Sequence, residues 1–123
     1  MIQHEISAQD LASQLKAAPS SQPAAPGVLS EAPPGFVLLD VREPWEVDMG
    51  AIAGSRNMPM GDVPTRAHQE LDPDAHIVVY CHRGVRSLSV VLWLREQGFE
   101  RAQSLAGGID GWSIQIDPSI DRY

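Results

Sequence analysis

The stretch His76-Ile77-Val78-Val79-Tyr80-Cys81-His82-Arg83-Gly84-Val85-Arg86-Ser87 decides the fold. From Ile77 to Tyr80 it is an unbroken β-branched and aromatic run of strand length. Without alternation, such a run suits a parallel strand covered on both faces. The residues from Cys81 to Arg86 are basic, small or glycine and cannot extend that strand as core. A helix is then expected from about Ser87 to Gln97, closed by Gly98. Leu88, Val90, Val91, Leu92, Trp93 and Leu94 spread around much of its circumference, so it should be well buried against a sheet.

Outward from this unit the same grammar repeats. Phe36 to Val41 reads as a buried strand whose carboxyl end carries Asp40 and Arg42. Glu43-Pro44-Trp45-Glu46 starts a helix, since proline suits its first position and acids complement the dipole; Gly50 is expected to end it. Ala102 to Leu105 is a further short strand, and Gly107-Gly108-Ile109-Asp110-Gly111-Trp112 is a turn leading into a final helical piece. Near the amino terminus, Ser7-Ala8-Gln9-Asp10 has capping-box spacing ahead of Leu11, Ala12 and Leu15 on one helical face. Strands alternating with helices predict an α/β fold with a mostly parallel central sheet flanked by helices.

The 123 residues suit a single domain spanning 1–123. The stretch from Ala17 to Gly35 breaks the pattern: Pro19, Pro23, Pro26, Pro33 and Pro34 stand among Ala, Ser and Gly and deny the backbone its ladders. It is read as a Pro/Ala-rich flexible insertion. A net charge of -7 disfavours nucleic acid and anionic membranes as partners. The longest apolar run, Val90 to Leu94, is far short of the ~20 residues of a spanning helix. The first residues lack a basic-then-apolar leader, so a cytoplasmic location is expected. Cys81 is the only cysteine, which excludes an internal disulfide and a multi-cysteine zinc site. His4, His68 and His76 lack metal-ligand spacing, and no metal is expected.

Cys81 falls where open parallel sheets bind their ligands, just beyond the carboxyl end of a strand. The amino end of the following helix favours a thiolate or a bound anion there. Arg83 and Arg86 add guanidinium groups, and Gly84 permits the positive φ that lets successive N–H groups converge. A lone cysteine is more often a small core residue, but the polar loop that follows this one argues otherwise. His82, next in the chain, is read as exposed or lining the pocket rim rather than as a base for Cys81.

The loop Cys81-His82-Arg83-Gly84-Val85-Arg86-Ser87 resembles the active-site loop of rhodanese-like domains. Leu39-Asp40-Val41-Arg42-Glu43-Pro44-Trp45-Glu46 is similar to that family's leading segment, and Gly50 to Pro59 to its second. Leu105 to Trp112 is similar to its closing Gly-Gly-x-x-x-Trp signature. The resemblance, over about residues 36 to 113, implies a five-stranded, mostly parallel sheet and a cofactor-free sulfurtransferase. Cys81 would take a sulfane sulfur from a small anionic donor such as thiosulfate as a persulfide, then pass it to cyanide, a thiol or a protein acceptor. His82, Arg83, Gly84, Val85 and Arg86 would bind the donor, with Asp40, Arg42 and Ser87 in support. The chain departs from the family pattern at Ala51, where histidine is usual, and at Ala53, where proline is usual.

Two other readings compete. A phosphatase or arsenate reductase also needs a reactive cysteine and an arginine, but phosphatase loops are Cys-x5-Arg, whereas Cys81 to Arg86 is the tighter Cys-x4-Arg. A noncatalytic interaction module, or a persulfide carrier whose turnover depends on a partner protein, would suit the acidic surface and the Pro-rich loop and predicts slow turnover with small donors.

Overall fold

The computed structural model describes residues 3–17 and 35–123. The expected insertion lies almost wholly outside them. The elements run β1 (Glu5–Ile6), α1 (Ala8–Ala17), β2 (Phe36–Asp40), α2 (Pro44–Val47), β3 (Arg56–Asn57), α3 (Val63–Glu70), β4 (His76–Tyr80), α4 (Val85–Glu96), β5 (Ala102–Leu105) and α5 (Gly108–Gln115). All strand pairs are parallel, in the order β1-β5-β4-β2-β3, so the sheet has five strands as the resemblance implied. Central β4 aligns Ile77 with Val37 of β2 on one side and with Ala102 of β5 on the other.

Alternation along β4 divides the core into two layers. Ile77 and Val79 face α3 and α4, where they meet Val63, Ala67, Val90, Val91 and Leu94. Val78 and Tyr80 face α1 and α5, where they meet Leu11, Ile109 and Trp112. Burying each large aliphatic side chain stabilises the fold by roughly 1.5–3 kcal/mol, and both faces of the strand contribute. Cys81 continues the Ile77 and Val79 face, so the strand's own periodicity turns the thiol toward the amino end of α4.

Several boundaries differ from the sequence expectation. Helix α4 starts at Val85 instead of Ser87, because Gly84 takes the left-handed conformation (φ 104°) and turns the chain into the helix at once. Its circumference is less apolar in use than in composition: Val90, Val91 and Leu94 are buried, while Leu92 is exposed. Helix α2 ends at Val47, three residues before Gly50. At α1 the Asp10 N–H donates to Ser7 Oγ (3.0 Å), the forward half of the expected capping box.

Candidate active site

Two helix amino termini meet at the loop after β4. Neither α4 nor α5 has a side-chain oxygen of its cap residue closing its first turn. At α4 the free donors turn to sulfur: Gly84 N–H donates to Cys81 Sγ at 3.1 Å and Ser87 N–H at 3.3 Å. The thiol thus does for this helix what a capping oxygen usually does, and the positive end of the dipole falls on the sulfur. Among the described residues, the N–H groups of Val85 and Arg86 donate to no acceptor. At α5 the donors turn to the loop backbone: Ile109 N–H donates to Cys81 O (2.9 Å) and Asp110 N–H to His82 O (3.0 Å). Gly108, at φ 59°, makes this approach possible, because a β-carbon there would lie 2.5 Å from His82 O and 2.6 Å from Cys81 O.

Cys81 is buried beneath the loop, at 1% exposure, and not open at its mouth. Its thiol also donates to Ser87 Oγ at 3.4 Å. Ser87 Oγ in turn donates to Gly84 O (3.3 Å) and shares a 2.7 Å bond with Ser104 Oγ on β5. Both serines are fully buried, so this short hydroxyl chain ties the sulfur to the sheet behind it.

Two of the arginines near the loop, Arg42 and Arg86, are paired. Asp40 and Arg42 form a buried ion pair, with Arg42 Nη2 2.7 Å from Asp40 Oδ2 and Arg42 Nε 2.9 Å from Asp40 Oδ1. Arg42 also donates to the carbonyls of Glu46 (3.1 Å) and Gly50 (2.7 Å), binding the end of β2 to the α2 turn. Burial works against the guanidinium, but its bonds to Asp40 and Tyr123 outweigh that and raise its affinity for the proton. Arg86 is turned to Glu46 in a two-pronged bond, Nη1 to Oε1 at 2.7 Å and Nη2 to Oε2 at 2.8 Å. Those bonds hold the buried Glu46 carboxyl down to about 2, against the opposing effect of burial. Arg83 is exposed and makes no ion pair among the described residues; neighbouring Asp110 is bonded instead by Arg122 at 2.8 Å.

Three functional neighbours were not singled out as site residues in the sequence. Glu46 stands in the sequence as a helix-start acid and the last residue of the leading motif, with no partner indicated; it accepts from Glu43 N–H (3.1 Å) and also holds Arg86. Tyr123 lies far from the loop in sequence and carried no motif. Its ring stacks on His82 at 3.9 Å and 10°, and its hydroxyl donates to Glu46 Oε2 (2.6 Å) and accepts from Arg42 Nη1 (3.2 Å). Ser104 hid inside a strand read for its packing alone. His82, expected from sequence to be exposed or at the rim, is half-buried under Tyr123, and its Nε2 is buried without a partner among the described residues. Ala51, where the family pattern has histidine, is also half-buried.

Among the described residues no group of three His, Cys, Asp or Glu could hold a metal ion, and no helix is long and apolar enough to cross a membrane.

Comparison with known proteins agrees with this fold. Residues 26–115 match the Rhodanese-like domain family. A sulfurtransferase of Allochromatium vinosum is 36% identical over 77 residues, which cover 63% of this chain and 71% of that one. The chloroplastic Rhodanese-like/PpiC domain-containing protein 12 of Arabidopsis thaliana is 37% identical over 70% of this chain, but the match spans only 30% of that longer protein. Among solved structures, a rhodanese-related protein from Thermoplasma volcanium superposes with a TM-score of 0.71 at 29% identity, covering 93% of this chain and 94% of that one. With its motif loop, its parallel sheet and these relatives, the chain belongs to the rhodanese-like domain family.

Proposed function

We propose that this protein is a sulfurtransferase that carries sulfane sulfur as a persulfide on Cys81. The observation that supports the reading most is the convergence of Gly84 and Ser87 N–H groups on Cys81 Sγ, with the Val85 and Arg86 N–H groups beside them, which have no acceptor among the described residues, left to meet a second sulfur. In the first half-reaction the Cys81 thiolate attacks the outer sulfur of a donor such as thiosulfate. The new S–S bond forms as the donor's S–S bond breaks, and sulfite leaves with the electron pair. In the second, cyanide or a thiol attacks the outer sulfur and the Cys81 thiolate departs, so the cycle is redox-neutral and needs no cofactor. Aimed donors are most effective where charge accumulates, and the loop amides stand where the persulfide's negative end would lie.

The tight loop also weighs against phosphoryl chemistry. Gly84 and Ser87 amides already contact sulfur within 3.3 Å, which favours a cradle sized for one added atom over one for a tetrahedral oxyanion.

The test is direct. After incubation with thiosulfate or an organic persulfide, the intact protein should gain the mass of one sulfur, located on Cys81, and should release it to cyanide as thiocyanate. Cys81→Ala should do neither. Absence of added sulfur on the unaltered protein with both donors would overturn the proposal.

A further inference from the structure

The sulfurtransferase reading leaves the donor open, and the charges at the loop bear on it. Arg86 is the guanidinium nearest the start of α4, yet both of its terminal nitrogens are engaged by Glu46 at 2.7 and 2.8 Å. Glu46 is itself buried and further fixed by the Tyr123 hydroxyl and Glu43 N–H. Its carboxyl is held down to about 2 by Arg86, so it remains charged throughout the working range of pH. Arg42 is likewise compensated by Asp40. Arg83 makes no ion pair among the described residues, but it is exposed, and an exposed charge in water attracts an anion weakly.

Exposed apolar and aromatic groups also stand beside these charges. Trp45 and Val85, the residues preceding Glu46 and Arg86, are 62% and 79% exposed. The Trp45 ring meets Tyr123 edge-on at 6.2 Å, and Tyr123 lies flat on His82. A small dianion gains little from such a rim. An organic group would gain contact area there, leaving the loop amides to meet a single sulfur charge.

We propose that Glu46 is a specificity-determining residue which, by occupying Arg86, withdraws that guanidinium from the donor site and so selects an organic persulfide over the thiosulfate dianion. This deepens the sulfurtransferase reading and depends on it. The step is balanced: the Cys81 thiolate attacks the outer sulfur of R–S–SH, the Cys81 S–S bond forms as the donor's own S–S bond breaks, and the leaving thiolate takes the outer sulfur's proton and departs as R–SH, with the negative charge left on the Cys81 persulfide. No oxidant or reductant is consumed.

The experiment is rapid-quench loading of Cys81, followed by intact mass, with equal concentrations of thiosulfate and a small uncharged alkyl persulfide. In the unaltered protein the persulfide should load about tenfold faster or more, the worth of one denied charge-assisted bond at a partly exposed site. Glu46→Gln removes the charge that neutralises Arg86 and one of its two acceptors, and should raise the thiosulfate-to-persulfide ratio by about the same factor. Equal or faster loading by thiosulfate in the unaltered protein would overturn the proposal, with no variant needed. An unchanged ratio in a folded Glu46→Gln protein would do the same while leaving the sulfurtransferase reading intact. Failure of both donors to load Cys81 would remove that reading instead.

Discussion

Replacing Gly108 by alanine should damage the site from behind without touching any reacting group. The position has φ 59°, and a left-handed alanine costs about 1–2 kcal/mol. The added methyl would sit 2.5–2.6 Å from the carbonyls of His82 and Cys81, and these are backbone atoms that cannot swing aside. Relief requires α5 to retreat, which stretches the bonds from Ile109 and Asp110 N–H to the loop, each worth about 1 kcal/mol. The expected loss is about 3 kcal/mol, or roughly 10 °C in Tm for a domain of this size. Gly111, in the same helix, is the control. Its β-carbon would meet only Gln115 Nε2 at 3.8 Å and Ala106 O at 3.9 Å, so Gly111→Ala should be neutral or stabilise by up to about 1 kcal/mol. Urea unfolding gives both values, and sulfur loading of Cys81 reports the displaced loop. A Gly108→Ala protein within about 1 kcal/mol of the unaltered one, loading at the same rate, would refute the account of how α5 fixes the loop.

Other outcomes follow from the charges. Glu46 has its folded-state pKa lowered from 4.5 to about 2, so its contribution is fully present above pH 4.5 and fades as pH falls toward 2. In urea titrations across that window Glu46→Gln should flatten the acid loss of stability; an identical slope would show that the pair contributes nothing. Asp40→Ala strands a fully buried Arg42 and should cost about 3–5 kcal/mol by chemical denaturation, whereas exposed Asp62→Ala should cost less than about 1 kcal/mol. Ser104→Ala removes a bond to Ser87 Oγ without reaching the sulfur, and should cost about 1 kcal/mol in the same assay.

Strongly local features were readable in the sequence. The Ile77–Tyr80 run, with apolar partners on either side of the chain, can form a buried parallel strand and little else, and the loop after it places Cys81 by connectivity alone. Helix α3 was missed because its sequence, Val-Pro-Thr-Arg-Ala-His-Gln-Glu, offers only Val63 and Ala67 to the core, and its form comes from packing beneath the sheet. β3 is two residues long and exists by pairing with Leu39 and Asp40. Glu46 lies forty residues from Arg86 and Tyr123 seventy-seven from Glu46, so no local pattern announces either contact. A propensity argument sees an acid at a helix start as a dipole effect, which accounts for Glu46 without predicting its partner.

The capping role of Cys81 joins the fold to the proposed chemistry. Gly84 and Ser87 N–H groups hold Sγ at 3.1 and 3.3 Å before any substrate arrives, so the donors that would stabilise charge are already oriented and their ordering is not a cost of each turnover. In the proposed persulfide, charge moves one atom outward, toward the Val85 and Arg86 amides that bond to nothing among the described residues. The helix terminus then offers one pair of donors to the inner sulfur and the next pair to the outer one. Serine at position 81 would cap the same helix with an oxygen but could not carry sulfane sulfur, so Cys81→Ser should keep the fold stable and abolish loading. That variant separates the two duties of the residue: a large loss of stability would mean that sulfur, rather than a capping acceptor, is what the loop requires.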